Sequence, residues 1–163
     1  DHSESPPVVL SEAARTYTVT CDGECLAYEF WSEEFLGRHT GAFEVSVDAR
    51  RAKVIALRTP TGVPQLLGTN RHITQGATDL GPISWNPATR TLSGTLVGAV
   101  GTAAAPWQYR MAFHAPAGFA LARAEVDGVD LVEAAQDEDL VRIGFRLLPD
   151  AQGRSVGFRI VFE

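Results

Sequence analysis

Val156-Gly157-Phe158-Arg159-Ile160-Val161-Phe162 places a large apolar residue at every second position. Successive side chains of an extended strand point to opposite faces, so Val156, Phe158, Ile160 and Phe162 share one side. Two other stretches repeat the pattern. Trp107, Tyr109, Met111 and Phe113 form one, and Val141, Ile143, Phe145 and Leu147 form the other. Alternation of this kind is the signature of half-buried antiparallel strands. Turn formers punctuate the chain at Asp22-Gly23, Asn86-Pro87, Pro116-Ala117-Gly118, Asp127-Gly128 and Pro149 through Gly153.

The fold expected is all-β, an antiparallel β-sandwich or two packed sandwich units. Strands are predicted over 16–21, 24–31, 42–48, 52–58, 64–73, 83–85, 91–99, 107–114, 118–126, 129–133, 140–148 and 155–162. Single helical turns are predicted at Leu10–Arg15 and Val132–Glu138. The core is expected to hold Phe30, Val45, Ile55, Leu57, Tyr109, Met111, Phe113, Ile143, Phe145, Phe158 and Ile160. The Ser-, Pro- and acid-containing start reads as a lead-in or linker over 1–15. Thr59-Pro60-Thr61-Gly62 marks a seam between an N-terminal strand set, 16–59, and a longer sandwich, 60–163.

The 163 residues carry a formal charge of −6, with 45% hydrophobic and 21% charged residues. That balance suits a globular chain with a real core. No basic run suits nucleic-acid phosphates, and no apolar stretch approaches the ~20 residues that cross a bilayer. Neither nucleic acid nor a membrane is an expected partner; an uncharged partner such as a sugar remains compatible.

Cys21 and Cys25 flank Asp22-Gly23-Glu24. A three-residue loop would set the sulfurs opposite each other, ready for a disulfide. A two-residue Asp22-Gly23 turn would instead pair Tyr17 with Tyr28 and Val19 with Leu26, leaving the thiols on opposite faces. Both registers stay open. His2, His39, His72 and His114 are isolated, and no Gly-x-Ser-x-Gly elbow accompanies them. Asp137-Glu138-Asp139 reads as a solvated loop without the spacing of a calcium loop. No metal, cofactor or catalytic residue is expected. Trp31 and Trp85 stand at strand ends beside polar turns, a setting that suits stacking on a pyranose, with Asn70, Arg71, His72, Gln75 and Asn86 as polar partners. Trp107, in phase with Tyr109 and Met111, reads as core.

A longer run carries a resemblance. It comprises Tyr28-Glu29-Phe30-Trp31, Phe35-Leu36-Gly37, Val54-Ile55-Ala56-Leu57-Arg58, and Pro64-Gln65-Leu66-Leu67-Gly68-Thr69-Asn70-Arg71-His72-Ile73-Thr74-Gln75-Gly76. Together these resemble the β-sandwich region that follows the barrel in α-galactosidase-like, melibiase-type glycoside hydrolases. The likeness covers about residues 16–126 and is strongest from Tyr28 to Gly76. In such proteins two aspartates of an N-terminal (β/α)₈ barrel perform catalysis; a barrel takes ~250 residues, and nothing here alternates strand with helix. No catalytic role carries over to a residue of this chain. The resemblance implies a non-catalytic accessory sandwich whose partner is the catalytic domain of a parent glycoside hydrolase, in an extracellular or periplasmic location. A carbohydrate-binding module with an aromatic platform and a glycan partner is the alternative, and an independent small hydrolase a distant one.

Overall fold

The computed structural model describes residues 13–71, 74–97, 108–146 and 155–163. Among them there is no helix, and eleven strands form three antiparallel sheets. The strands are β1 Arg15–Glu29, β2 Glu34–Val47, β3 Ile55–Arg58, β4 Gln65–Thr69, β5 Ser84–Asn86, β6 Thr91–Leu96, β7 Gln108–His114, β8 Leu121–Val126, β9 Leu131–Asp137, β10 Leu140–Arg146 and β11 Val156–Phe162. A first sheet has the order β2-β1-β3, a second β4-β7-β10-β9 and a third β5-β6-β11-β8. The chain passes between the second and third sheets repeatedly, so their apolar faces meet.

The alternating runs build that meeting. Tyr109, Met111, Phe113, Val141, Ile143 and Phe145 project from the second sheet onto Leu92, Leu96, Val126, Phe158, Ile160 and Phe162 of the third. Phe113 and Phe158 touch across the gap with ring centres 6.0 Å apart. Every residue of the opening stretch that was expected inside is buried.

The first sheet lies against the other side of the second. Leu26 and Tyr28 of β1, with Phe35 of β2, pack on Leu67, Ala112 and Leu140. Tyr28 fits because Gly68 has no side chain: a Cβ there would lie 2.8 Å from Tyr28 Cδ1 and 2.6 Å from Gln75 Oε1. Burial pushes the Tyr28 hydroxyl pKa up. Arg110 of β7 grips Glu33 through two hydrogen bonds, and Arg58 donates to the carbonyls of Leu67 (3.2 Å) and Gln75 (2.9 Å). The result is three layers with two apolar seams.

Several local expectations are corrected. Asp22-Gly23 does not reverse the chain. β1 runs straight through it: Thr20 faces Ala42 and Glu24 faces Thr40, so residues 21–23 bulge out opposite Gly41. The Cys21–Cys25 disulfide, with Cα atoms 6.0 Å apart, closes the neck of that bulge. Neither hairpin register forms, because β2 occupies the ladder; Tyr17 faces Val45 and Tyr28 faces Phe35. The predicted strands 16–21 and 24–31 are therefore one element, and residues 34–41, assigned to no strand, begin β2. Gly37 (φ 101°) and Gly41 (φ 76°) let this long edge strand bend, where an L side chain would be strained.

The predicted helical turn at Val132–Glu138 is strand β9 and the start of its turn. Its Ala-, Glu- and Gln-rich sequence favours helix only weakly, and pairing with β10 overrides that preference. Half of the other predicted helical turn, 10–12, lies outside the described residues; Ala13 and Ala14 are not helical and Arg15, its last residue, opens β1. Leu57 is 40% exposed, since the edge strand β3 turns it away from both seams; Ile55 is only partly buried.

Candidate functional site

Trp31 stands on the four-residue turn between β1 and β2, and it is 63% exposed. Its turn is held from beneath by Glu29, which is 1% exposed. The Glu29 carboxylate accepts from Ser32 N–H (2.7 Å), Ser32 Oγ (2.8 Å) and Val54 N–H (3.1 Å). Burial works against its charge, but these bonds and one from the Trp31 backbone outweigh it, and its pKa lies below the ordinary carboxylate value. The neighbouring Glu33 is anchored by Arg110, whose guanidinium the same hydrogen bonds hold more firmly in its charged form. The indole is thus an exposed ring on a rigid mount, edge-on to Phe30 at 4.8 Å.

Of the other proposed sugar contacts, Trp85 and Asn86 lie on the third sheet, whereas Asn70 and Gln75 are bonded to Arg110 and Val54, which hold the Trp31 turn. Trp85, on β5 of the third sheet, faces inward and packs against Phe119 (5.4 Å) and Phe162 (6.0 Å). Asn86 caps the following turn, accepting from Ala88 and Thr89 N–H. Asn70 splices β4 to β7: its amide donates to the Gln108 carbonyl (3.1 Å) and its oxygen accepts from Arg110 N–H (2.8 Å). Gln75 is 2% exposed and donates to the Val54 carbonyl. Arg71 lies near enough to Tyr109 to influence its hydroxyl electrostatically. That hydroxyl donates to Asp79 (2.5 Å), which also accepts from Thr69, in a buried polar group behind β4. Burial first, and the Asp79 bond second, push the Tyr109 pKa up. His72 and Trp107 lie outside the described residues. The structure does not bring the two tryptophans together.

It does assemble a cleft that the sequence reading missed. Arg38 of β2, His114 at the end of β7, the Ala115–Phe119 loop, Gln136 of β9 and Glu138 and Asp139 of the β9–β10 turn line an open cleft of about 450 Å³. His114, read as isolated, lies between the first two sheets against Phe35, with ring centres 5.7 Å apart. It is 5% exposed, its Nε2 lies 3.4 Å from Asp139 Oδ2, and its Nδ1 is buried without a hydrogen-bond partner. Burial lowers its pKa, partly countered by Asp139, while the Arg38 charge adds to the lowering.

The walls are fixed. Gln136 Oε1 accepts from Leu121 N–H (2.6 Å), and its Nε2 donates to the carbonyls of Phe119 (3.1 Å) and Glu138 (2.8 Å). Ala115 N–H donates to the Asp139 carbonyl at 2.8 Å. Arg38 is held bidentately by Glu24 at 2.6–2.7 Å. The missed signal was pairing: Leu140 faces His114 on one side and Asp137 on the other, which brings the β9–β10 turn to the end of β7. Only strand order reveals that neighbourhood. Among the described residues no cluster of three or more His, Cys, Asp or Glu is placed to hold a metal.

Neither a protein-family model nor a curated protein sequence matches this chain. No helix is long and apolar enough to cross a membrane among the described residues.

Proposed function

We propose that this chain is a non-catalytic accessory β-sandwich of a carbohydrate-active enzyme of α-galactosidase type, and that it packs against the catalytic barrel. Trp31 is the observation that carries the reading. Its ring is 63% exposed on a turn that Glu29 and the Glu33–Arg110 pair hold rigid. A pre-fixed aromatic loses little freedom on association, which is why such rings anchor protein interfaces. Asn70 and Gln75, the amides a sugar platform would need beside a ring, are engaged within the fold. That favours docking over glycan stacking at Trp31. The Cys21–Cys25 disulfide supports an extracellular or periplasmic setting.

The test mixes the chain with an α-galactosidase-type barrel expressed without its own sandwich, followed by size-exclusion chromatography and thermal melting of the barrel. Association that stabilises the barrel, and its loss in Trp31→Ser, is the expected result. No association, together with a Trp31 fluorescence change on adding galactosides, would replace docking by the carbohydrate-binding alternative.

A further inference from the structure

We propose that the Arg50–Arg51 pair is a processing site, cut after Arg51 by an endoprotease of the class that seats paired basic side chains, and that the cut leaves the fold in one piece. The sequence supplies the first observation. Of its 14 Lys and Arg residues only Arg50 and Arg51 adjoin, and Lys53 follows two residues on. In a chain of net charge −6 this is a local concentration of positive charge. An endoprotease of this class carries acidic subsites, which bind a guanidinium at the residue before the cut and a second cation beside it.

Placement in the fold is the second observation. The pair lies between β2 and β3, where residues 48–53 are all exposed and none belongs to a strand. Arg58, Arg110 and Arg142, by contrast, sit in paired strands, whose backbone a protease reaches only by breaking a ladder. Burial and bonding of the backbone decide whether a segment can extend into a protease cleft. Here the turn is closed by Arg51 N–H, which donates to the Asp48 carbonyl at 3.1 Å. Arg50 takes a φ of 58°, a conformation that a non-glycine residue adopts at some cost. Straightening the turn gives up that bond and relieves that φ.

In the cut, water adds to the Arg51 carbonyl carbon as the Arg51–Ala52 C–N bond breaks. Arg51 is left with a carboxylate and Ala52 with an ammonium group. The pieces stay joined, because β2 and β3 each pair with β1 and not with each other. Val54 anchors the new N-terminus: its carbonyl accepts from Phe30 N–H (2.9 Å), and its own N–H donates to Glu29 (3.1 Å).

The experiment treats the intact chain, disulfide in place, with a serine endoprotease specific for paired basic residues, and identifies the first products by mass spectrometry. Fragments 1–51 and 52–163 are expected, at a rate within about a hundredfold of that for a free peptide of residues 45–57, as for local opening of an exposed turn. Arg51→Gln should slow the cut about a hundredfold through loss of its ion pair in the protease subsite. Ile143→Val raises the unfolded fraction by up to about tenfold, and should leave the rate unchanged if the folded chain is the substrate. The nicked protein should elute as one species in size-exclusion chromatography. The proposal falls if the chain is cut more slowly than that hundredfold limit, if Arg51→Gln is cut like the parent, if Ile143→Val speeds the cut in step with unfolding, or if the nicked pieces separate.

Discussion

His114 concentrates several opposing forces in one imidazole. Burial between two sheets disfavours its charge, Asp139 at 3.4 Å favours it, and Arg38 opposes it; the net pKa is lowered. A base whose pKa is lower in the folded than in the unfolded state stabilises the fold while neutral. The unfolded chain binds the proton first, so stability is intact above the unfolded pKa of about 6.5 and drains away as pH falls from there toward the folded value. The melting temperature should drop more steeply from pH 7 to pH 5 in the parent chain than in His114→Gln. Parallel profiles for the two proteins would remove this role from His114. The residue itself was legible in the sequence, but its partners were not, because β2 brings Arg38 and Phe35 to it and the β9–β10 turn brings Asp139.

At the scale of an element, β1 is divided by its own bulge. Residues 25–30 are buried under the seam with the second sheet, whereas residues 15–20 run mostly exposed beside the end of β2. The Cys21–Cys25 link sits at the boundary. Replacing both cysteines by Ser should cost about 2 kcal/mol by the loop-entropy relation for so short a loop. The loss should be local: faster hydrogen exchange for Thr16–Thr20 and Ala42–Val47, with the protection of β7 and β10 unchanged. Uniform loss across all sheets would show that the arm is not a separate unit. A second element-scale prediction concerns the seam. Gly68→Ala drives a methyl group into Tyr28 and Gln75, and should destabilise by about 1–3 kcal/mol through overpacking. Tyr28→Leu in the same chain should recover part of that loss, and thermal melts of the single and double variants measure the coupling. The bulge was unreadable from sequence for a clear reason. Asp-Gly is equally at home in a hairpin turn and in a bulge, and only the length of β2 decides between them.

For the molecule as a whole, the sandwich was written in the alternating runs. Phe158, Ile160 and Phe162 had to share a face, and a face so apolar had to meet another. The runs at Tyr109–Phe113 and Val141–Phe145 supplied it. Phe158 lies over Gly94, where a Cβ would stand 2.7 Å from its Cζ, so the ring occupies the space that a side chain at position 94 would take. Phe158→Ala should cost about 3–5 kcal/mol as lost transfer energy and a residual cavity, measured by denaturant unfolding; an unchanged midpoint would contradict this placement. Which sheet lies on which, by contrast, was not legible. Tyr28, Leu67 and Leu140 look like ordinary strand residues until the topology sets them on the outer face of the second sheet. The polar contacts follow the same rule: Asn70 and Gln75 looked available in sequence, and backbone groups brought to them by the fold occupy their amides.

Gln136 has one more consequence, for the freedom of the layers to move. Apolar faces attract without regard to direction, so they fix how far apart two sheets lie but resist sliding only through the interlocking of side chains. The amide of Gln136 spans both sheets, holding the first N–H of β8 on one and the β9–β10 turn on the other. Hydrogen bonds, unlike apolar contacts, have a required angle and length. One side chain therefore acts as a pin through a stack of plates, converting a contact that permits shear into one that has a register.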